Sequence, residues 1–264
     1  MNTPAEIARS YIVVGAAKTR LPFLKLCMLS IFAGMFIAFG ALGSTIASCG
    51  VQPAALSRLL SAAIFPIGLM MVVVAGAELF TGNCLIFAPV LARRATMRGM
   101  LYNWAVVYIG NFIGGVLLAF LAAYSHVFSL YGENLAQATV STAVAKLSLS
   151  FGDAFIRGIL CNVMVCVAVW VAFASKDISG KIIALYLPVA LFVLCGFEHC
   201  IANMYFVPAG MFAAHVHGID APVLSWGSFV IDNLIPVTLG NIVGGSVFVG
   251  GGYWLAYLKG STNY

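Results

Sequence analysis

Two short polar stretches interrupt long apolar runs and carry most of the residues that could do chemistry. The first contains Glu78 and Asn83, and the second contains Glu198, His199 and Asn203. Both stretches read Gly-x-Glu, then three residues, a small residue and Asn. Ionisable side chains at membrane depth are costly and mark solute paths or proton relays. The matching spacing therefore predicts two breaks that meet at the centre of a pore.

The chemistry expected there centres on His199, the histidine that falls inside a predicted span. An imidazole with an ordinary pKa near 6.5 can pass a proton to a bound anion or donate a hydrogen bond to it. Asn162 lies within another apolar run. Its amide either fixes the orientation of the imidazole or makes a helix–helix hydrogen bond.

The polar residues of the breaks have predicted structural roles. Asn83 and Asn203 are expected to be helix N-caps, each starting a half-helix whose positive end favours an anion or a polar solute. Glu78 and Glu198 are expected to accept hydrogen bonds from backbone N–H groups of the breaks, or to be protonated, because a bare buried carboxylate is costly.

Two lysines flank the predicted spans. Lys146 precedes the fourth span and Lys18 precedes the first. Either ammonium could draw an anion towards a narrow mouth by Coulomb attraction. The alternative is that each is a solvated loop lysine.

The composition identifies the kind of protein. Of 264 residues, 62% are hydrophobic and only 8% charged, with mean hydropathy +1.05. A soluble domain carries about 25% charged residues, and the continuous apolar runs exclude an alternating membrane barrel. The net charge of +5 is too small to indicate nucleic-acid binding, and the seven cysteines lack metal-ligand spacing.

The apolar runs predict an all-α membrane protein with an interfacial helix over residues 1–20 and a six-helix channel domain over 21–264. The expected spans are 24–47, 59–91, 101–124, 154–174, 182–212 and 229–258. The second and fifth are too long for one crossing of about 20 residues, so both are predicted to be broken. Most Lys and Arg residues fall on the side of the termini. The positive-inside rule then places both termini in the cytoplasm of a cell whose inner membrane holds the protein.

A second pair of matching motifs supports an internal repeat. Residues 110–115 and 240–245 both read Gly-Asn, two apolar residues, Gly-Gly. Because each half contains three spans, the halves must be inserted in opposite senses, which is the inverted 3+3 arrangement of many transporters. The small residues are expected to allow tight helix packing.

The chain resembles the formate/nitrite transporter family along nearly its whole length. The residues that carry the resemblance are Ala75–Asn83, Cys161–Trp170, Gly196–Met204 and Asp232–Gly245. The resemblance implies an aquaporin-like fold and a homopentamer in the lipid bilayer, with one pore in each protomer. It also implies passage of small monovalent weak-acid anions such as formate, nitrite, hydrosulfide, acetate or lactate.

The resemblance also implies roles for particular residues. The central histidine corresponds to His199, with Asn162 as its partner, and the vestibule lysines correspond to Lys146 and Lys18. The polar contact of a flexible loop over Leu79–Asn83 corresponds to Thr81. The hydrophobic constrictions correspond to Phe65, Leu69, Phe80 and Phe192. This loop reads Thr-Gly-Asn where the formate branch has Thr-Ser-Thr, so it does not single out formate.

The expected mechanism follows from the cost of a charge in an apolar slit. Low polarity raises the pKa of the acid, so that a proton from water or from His199 neutralises the anion, and transport becomes proton–anion symport. The alternative is a neutral-solute channel. However, an aquaporin needs Asn-Pro-Ala at both breaks, and an ammonia channel needs paired histidines. A hydrolase would need a nucleophile with its base or a zinc motif, so no enzyme, metal or cofactor is expected.

Overall fold

The computed structural model describes residues 1–260, which are helical with no strand. The helices are α1 (Pro4–Lys18), α2 (Phe23–Ser48), α3 (Ala54–Ala75), α4 (Phe80–Leu91), α5 (Met97–Tyr124), α6 (Asn134–Leu147), α7 (Phe151–Ala172), α8 (Ile178–Cys195), α9 (Cys200–His217) and α10 (Trp226–Tyr257). Among the described residues, the six helices long and apolar enough to cross a membrane are α2, α3, α5, α7, α8 and α10. The all-helical, six-span prediction is therefore confirmed.

Both predicted breaks are present, at Glu78 and Glu198. Helices α3 and α8 end at glycines with left-handed backbone, Gly76 (φ 79°) and Gly196 (φ 71°). A conformation with positive φ strains residues that carry a Cβ, so glycine is suited to turning the chain out of each helix. Three residues then follow before α4 and α9 begin.

The expected capping by Asn83 and Asn203 is wrong. Asn83 lies in the first turn of α4 and Asn203 in the first turn of α9, whereas the N-cap positions are Leu79 and His199. The reason is that the half-helices start immediately after the extended segment. His199 caps α9 itself, because its Nδ1 accepts a hydrogen bond from the Ala202 N–H (3.1 Å).

The Gly-Asn motif of α5 closes the first break. The Asn111 amide nitrogen donates to the carbonyls of Ser30 (2.7 Å) and Glu78 (3.0 Å), and its oxygen accepts from the Phe80 N–H (2.9 Å). One side chain thus satisfies backbone groups that the break removes from helical hydrogen bonding. Within hydrocarbon, such groups would otherwise be costly.

The second break is closed in the same way, which shows the inverted repeat in atomic detail. Asn241 donates to the carbonyls of Gly158 (2.7 Å) and Glu198 (3.0 Å) and accepts from the Cys200 N–H (2.9 Å). Helices α1–α5 therefore correspond to α6–α10, with α6 taking the place of α1.

The glycines of the repeated motif pack helices closely, as expected. A Cβ on Gly114 would lie 2.1 Å from the Ile31 carbonyl oxygen, and one on Gly244 would lie 2.2 Å from the Ile159 carbonyl oxygen. The α2–α5 and α7–α10 pairs therefore meet backbone to backbone, which fixes the position of both asparagines.

Helix α1 packs beneath the first break. A capping box joins Thr3 and Glu6 at its start. Tyr11 and Ile12 are buried on one side, whereas Val13 is 65% exposed. This exposed face is consistent with the predicted interfacial position.

Candidate functional site

Two cavities approach each other from opposite ends of the bundle. The larger, about 900 Å³, is lined by Lys146, Glu198 and His199, and is called the Lys146 vestibule. The smaller, about 430 Å³, is lined by Lys18 and Glu78, and is called the Lys18 vestibule. A path through the protomer would join the two cavities.

Two aromatic side chains line part of the Lys146 vestibule wall. Phe65 and Phe192 both line it and pack edge to face, with ring centroids 5.6 Å apart. Phe192 also stacks on the His199 ring at 6.0 Å. Leu69, four residues after Phe65 in the sequence, lines the Lys18 vestibule instead. Phe65 and Phe192 therefore line one vestibule and Leu69 lines the other, and a constriction formed by these three residues remains a prediction.

Phe80 does not lie on either vestibule wall. Its ring packs edge-on against Trp104 and Tyr108, at centroid distances of 5.9 and 4.9 Å. The expected contribution of Phe80 to the constriction is therefore not seen at either cavity. The neighbouring Leu79, expected only as the first residue of the Leu79–Asn83 loop and given no role of its own, forms part of the Lys18 vestibule wall.

A sequence signal for Leu79 was available. When the two breaks are aligned on Glu78 and Glu198, Leu79 falls opposite His199. The structure gives both the same N-cap position of their half-helices. The inverted repeat thus places an apolar residue and an imidazole at equivalent points of the two half-helices.

The breaks meet through one side-chain hydrogen bond. His199 Nε2 lies 2.9 Å from Thr81 Oγ1, and both side chains are buried. Because Nδ1 accepts from the Ala202 N–H, the proton of a neutral imidazole belongs on Nε2. Nε2–H then donates to Thr81 Oγ1, and Thr81 itself lines neither vestibule wall.

Asn162 does not orient the imidazole directly. Its amide nitrogen donates to the carbonyls of Thr81 (3.2 Å) and Asn241 (2.7 Å). The Cys166 thiol lies 3.3 Å from the same Thr81 carbonyl. Asn162 therefore acts as a helix–helix bond that holds Thr81, and through Thr81 it positions the hydroxyl that faces His199.

The glutamates do not use the backbone N–H groups of the breaks, contrary to expectation. Lys18 Nζ lies 2.8 and 2.9 Å from the two Glu78 carboxylate oxygens, and Asn83 donates to Glu78 at 2.8 Å. An ammonium and an amide satisfy the carboxylate, whereas Asn111 takes the backbone N–H of Phe80.

The second half repeats this arrangement. Lys146 Nζ lies 2.7 Å from Glu198 Oε1, and Asn203 donates to Oε2 at 2.8 Å. Lys146 is therefore neither a solvated loop lysine nor an unpaired charge. Its pairing weakens any attraction that it alone could exert on an anion.

Metal ligands do not gather near this path. Among residues 1–260, no group of three or more His, Cys, Asp and Glu side chains is arranged to hold a metal ion.

Comparison with known proteins places the chain among transporters and channels. A family model described as formate/nitrite transporter matches residues 5–255. A probable formate transporter from Methanothermobacter thermautotrophicus is 40% identical over 277 residues, covering 98% of each chain. The formate channel FocA of Escherichia coli K12 is 35% identical over 274 residues, covering 99% of this chain and 96% of FocA.

Two solved structures share the fold. One, a pentameric formate channel with formate bound, has a TM-score of 0.82 and 38% identity, covering 90% of this chain and 98% of the other. The other, described as an FNT family ion channel, has a TM-score of 0.87 and 28% identity, covering 95% and 98%.

Proposed function

Because this chain belongs to the formate/nitrite transporter family, we propose that it conducts formate and related small monovalent weak-acid anions. The substrate class includes nitrite, hydrosulfide, acetate and lactate. The observation that carries the proposal is an imidazole–hydroxyl pair, His199 and Thr81, which joins the two breaks and places His199 on the wall of the Lys146 vestibule.

The constriction favours a neutral species at the moment of passage. An unpaired anion between Phe65, Phe192 and Leu69 would lose its hydration without gaining a countercharge. A weak acid avoids that cost by taking up a proton, because low polarity raises its pKa. Transport would then carry one proton with each anion.

The proposed role of His199 is to keep the Thr81 hydroxyl and the start of α9 in place, through its two hydrogen bonds, where the anion takes up its proton. In the geometry observed it is a neutral donor to Thr81, and loss of its remaining proton would produce a strongly basic imidazolate. A second proton on Nδ1 would displace the Ala202 N–H. We therefore propose that His199 is protonated only transiently and that vestibule water supplies the proton that crosses.

The assembly and orientation are also part of the proposal. A homopentamer is supported by the related structure described as a pentameric formate channel. Both termini are assigned to the cytoplasm because Arg93, Arg94 and Arg98 lie on the same side as the N-terminal segment. The Lys146 vestibule then opens outwards and the Lys18 vestibule opens inwards.

Proteoliposomes with a pH indicator inside, followed both for luminal pH and for swelling by light scattering, test the proposed function. Formate, nitrite, hydrosulfide, acetate, lactate and glycerol are added in turn at two pH values, with protein-free liposomes as the control for diffusion of neutral acids. The proposal expects uptake of weak-acid anions with acidification of the lumen and no glycerol swelling. Glycerol swelling without anion uptake would identify a neutral-solute channel, and anion uptake without acidification would refute the coupling.

A further inference from the structure

The two vestibules differ in charge. The side chains that are charged at neutral pH and line the Lys146 vestibule are those of Arg58, Lys146, Arg157 and Glu198, so three positive charges and one negative charge leave a net +2. The Lys18 vestibule is lined by Lys18 and Glu78 alone among such groups, which cancel. The inverted repeat therefore retains the ion pair but not the surrounding charge.

The excess positive charge belongs to the two arginines. Lys146 is paired with Glu198, whereas no carboxylate in residues 1–260 lies within 4.0 Å of either guanidinium. Asp153, one turn before Arg157 in α7, instead accepts a hydrogen bond from Ser150. Both arginines are exposed.

Both arginines are attached to the segment that carries His199. Arg58 Nη1 donates to the Leu194 carbonyl at 3.3 Å, and a Cβ on Gly196 would lie 2.7 Å from that nitrogen. The Arg157 carbonyl accepts the Glu198 N–H at 3.3 Å. The two residues thus border the break from α3 and from α7, beside the entrance to the constriction.

We propose that Arg58 and Arg157, rather than the paired Lys146, collect the anion at the outer mouth, and that this entry of the still-charged anion, before it is protonated, limits transport. This inference rests on the proposed function, because it specifies how that channel recruits its substrate. Guanidinium groups stay protonated at any physiological pH, so the recruitment would not change with pH.

The expected size follows from Coulomb's law. Two charges about 10 Å from the entering anion, at an effective dielectric constant of about 40–80, raise its local concentration about three- to sevenfold at 0.01 M ionic strength. Screening reduces the factor to about twofold at 0.15 M. The signature is therefore a permeability that falls as salt rises.

The experiment measures formate permeability of zwitterionic proteoliposomes at 0.01 and 0.15 M ionic strength, far below saturating formate. In this range a passive path has the same permeability in both directions, so the orientation of the protein in the vesicle does not matter. In the double variant Arg58→Gln/Arg157→Gln, formate permeability at 0.01 M ionic strength should be three- to sevenfold lower than in the wild type and should no longer depend on salt. Arg58→Lys/Arg157→Lys should keep both properties, and so should Arg98→Gln, which removes one positive charge at the start of α5 and is the control for the single Arg→Gln variants.

The outcomes separate the two proposals. A wild type that does not conduct formate refutes the proposed function. A wild type that conducts formate without salt dependence, or a folded double variant with unchanged permeability, overturns the role of the arginines alone. If the double variant does not fold, the single Gln variants and the salt dependence of the wild type decide the question.

Discussion

Replacing Lys146 by Gln tests whether the Lys146–Glu198 pair is primarily structural. Glu198 has a side chain 4% exposed, and Lys146 one 19% exposed, with 2.7 Å between their charged atoms. Removing one partner of a buried pair leaves an uncompensated charge and costs about 3–5 kcal/mol. We therefore expect Lys146→Gln to lower the thermal midpoint by roughly 6–20 °C, at 2–4 °C for each kcal/mol.

The double variant Lys146→Gln/Glu198→Gln separates stability from anion attraction. Neutralising both partners removes the stranded carboxylate, and the Asn203 amide can still donate to the side-chain oxygen of the introduced glutamine. We expect most of the lost stability to return. Because the double variant keeps the vestibule at net +2, formate permeability should return as well.

Thermal unfolding of the detergent-solubilised protein and formate uptake, measured on the same preparations, check this reasoning. Lys18→Gln and Lys18→Gln/Glu78→Gln are the matched pair in the other half of the repeat and should behave alike in stability. A double variant that regains its midpoint but keeps the low permeability of Lys146→Gln would show that the ammonium itself recruits the anion. A single variant that unfolds within about 2 °C of wild type would refute the energetic argument.

The remaining predictions concern the central pair, the helix contacts and α1. Thr81→Val removes the acceptor of His199 Nε2–H, so formate permeability should fall about tenfold, equivalent to about 1.4 kcal/mol; unchanged uptake would exclude a role for the hydroxyl. Gly244→Ala should cost about 1–3 kcal/mol of stability by overpacking, whereas Gly252→Ala, whose Cβ meets nothing within 4 Å, should be neutral in the same thermal assay. The hydrogen bond from the Thr3 backbone N–H lowers the pKa of the Glu6 carboxyl below 4.5. The ionised carboxylate should therefore stabilise the start of α1 fully above pH 4.5, and this stabilisation should be lost as the pH falls through the lowered pKa. Amide exchange in the first turn of α1 should show that dependence, and Glu6→Gln should remove it.

The sequence was sufficient for the architecture because the membrane imposes local constraints. Long apolar runs must be helical, and runs longer than one crossing must break where Gly and Glu stand together. The repeated motifs around Glu78 and Glu198 then required opposite insertion of the two halves. All of these inferences depend on neighbours in the sequence, and the helices and breaks agree with them.

Only the tertiary structure determined which polar side chains pair with each other. The sequence placed Lys146 at a mouth and Glu198 and Asn203 at a break. It did not show that Glu198 binds Lys146, 52 positions away, and the Asn203 amide, instead of the backbone N–H groups of the break. Asn162 and Thr81, 81 positions apart, likewise meet only when α7 packs against α4.

The same reason explains the misplaced caps and the charge of the vestibules. Asn83 has a good N-cap side chain, but Glu78 and the folded α5 provide acceptors that hold its amide elsewhere. Because Lys146 is paired with Glu198, the positive charges of the Lys146 vestibule that have no carboxylate partner are those of Arg58 and Arg157. No local sequence pattern indicates this pairing. Local sequence determines where a helix in a membrane starts, bends and ends, whereas the packing of distant helices determines which polar groups satisfy each other and which remain for the solute.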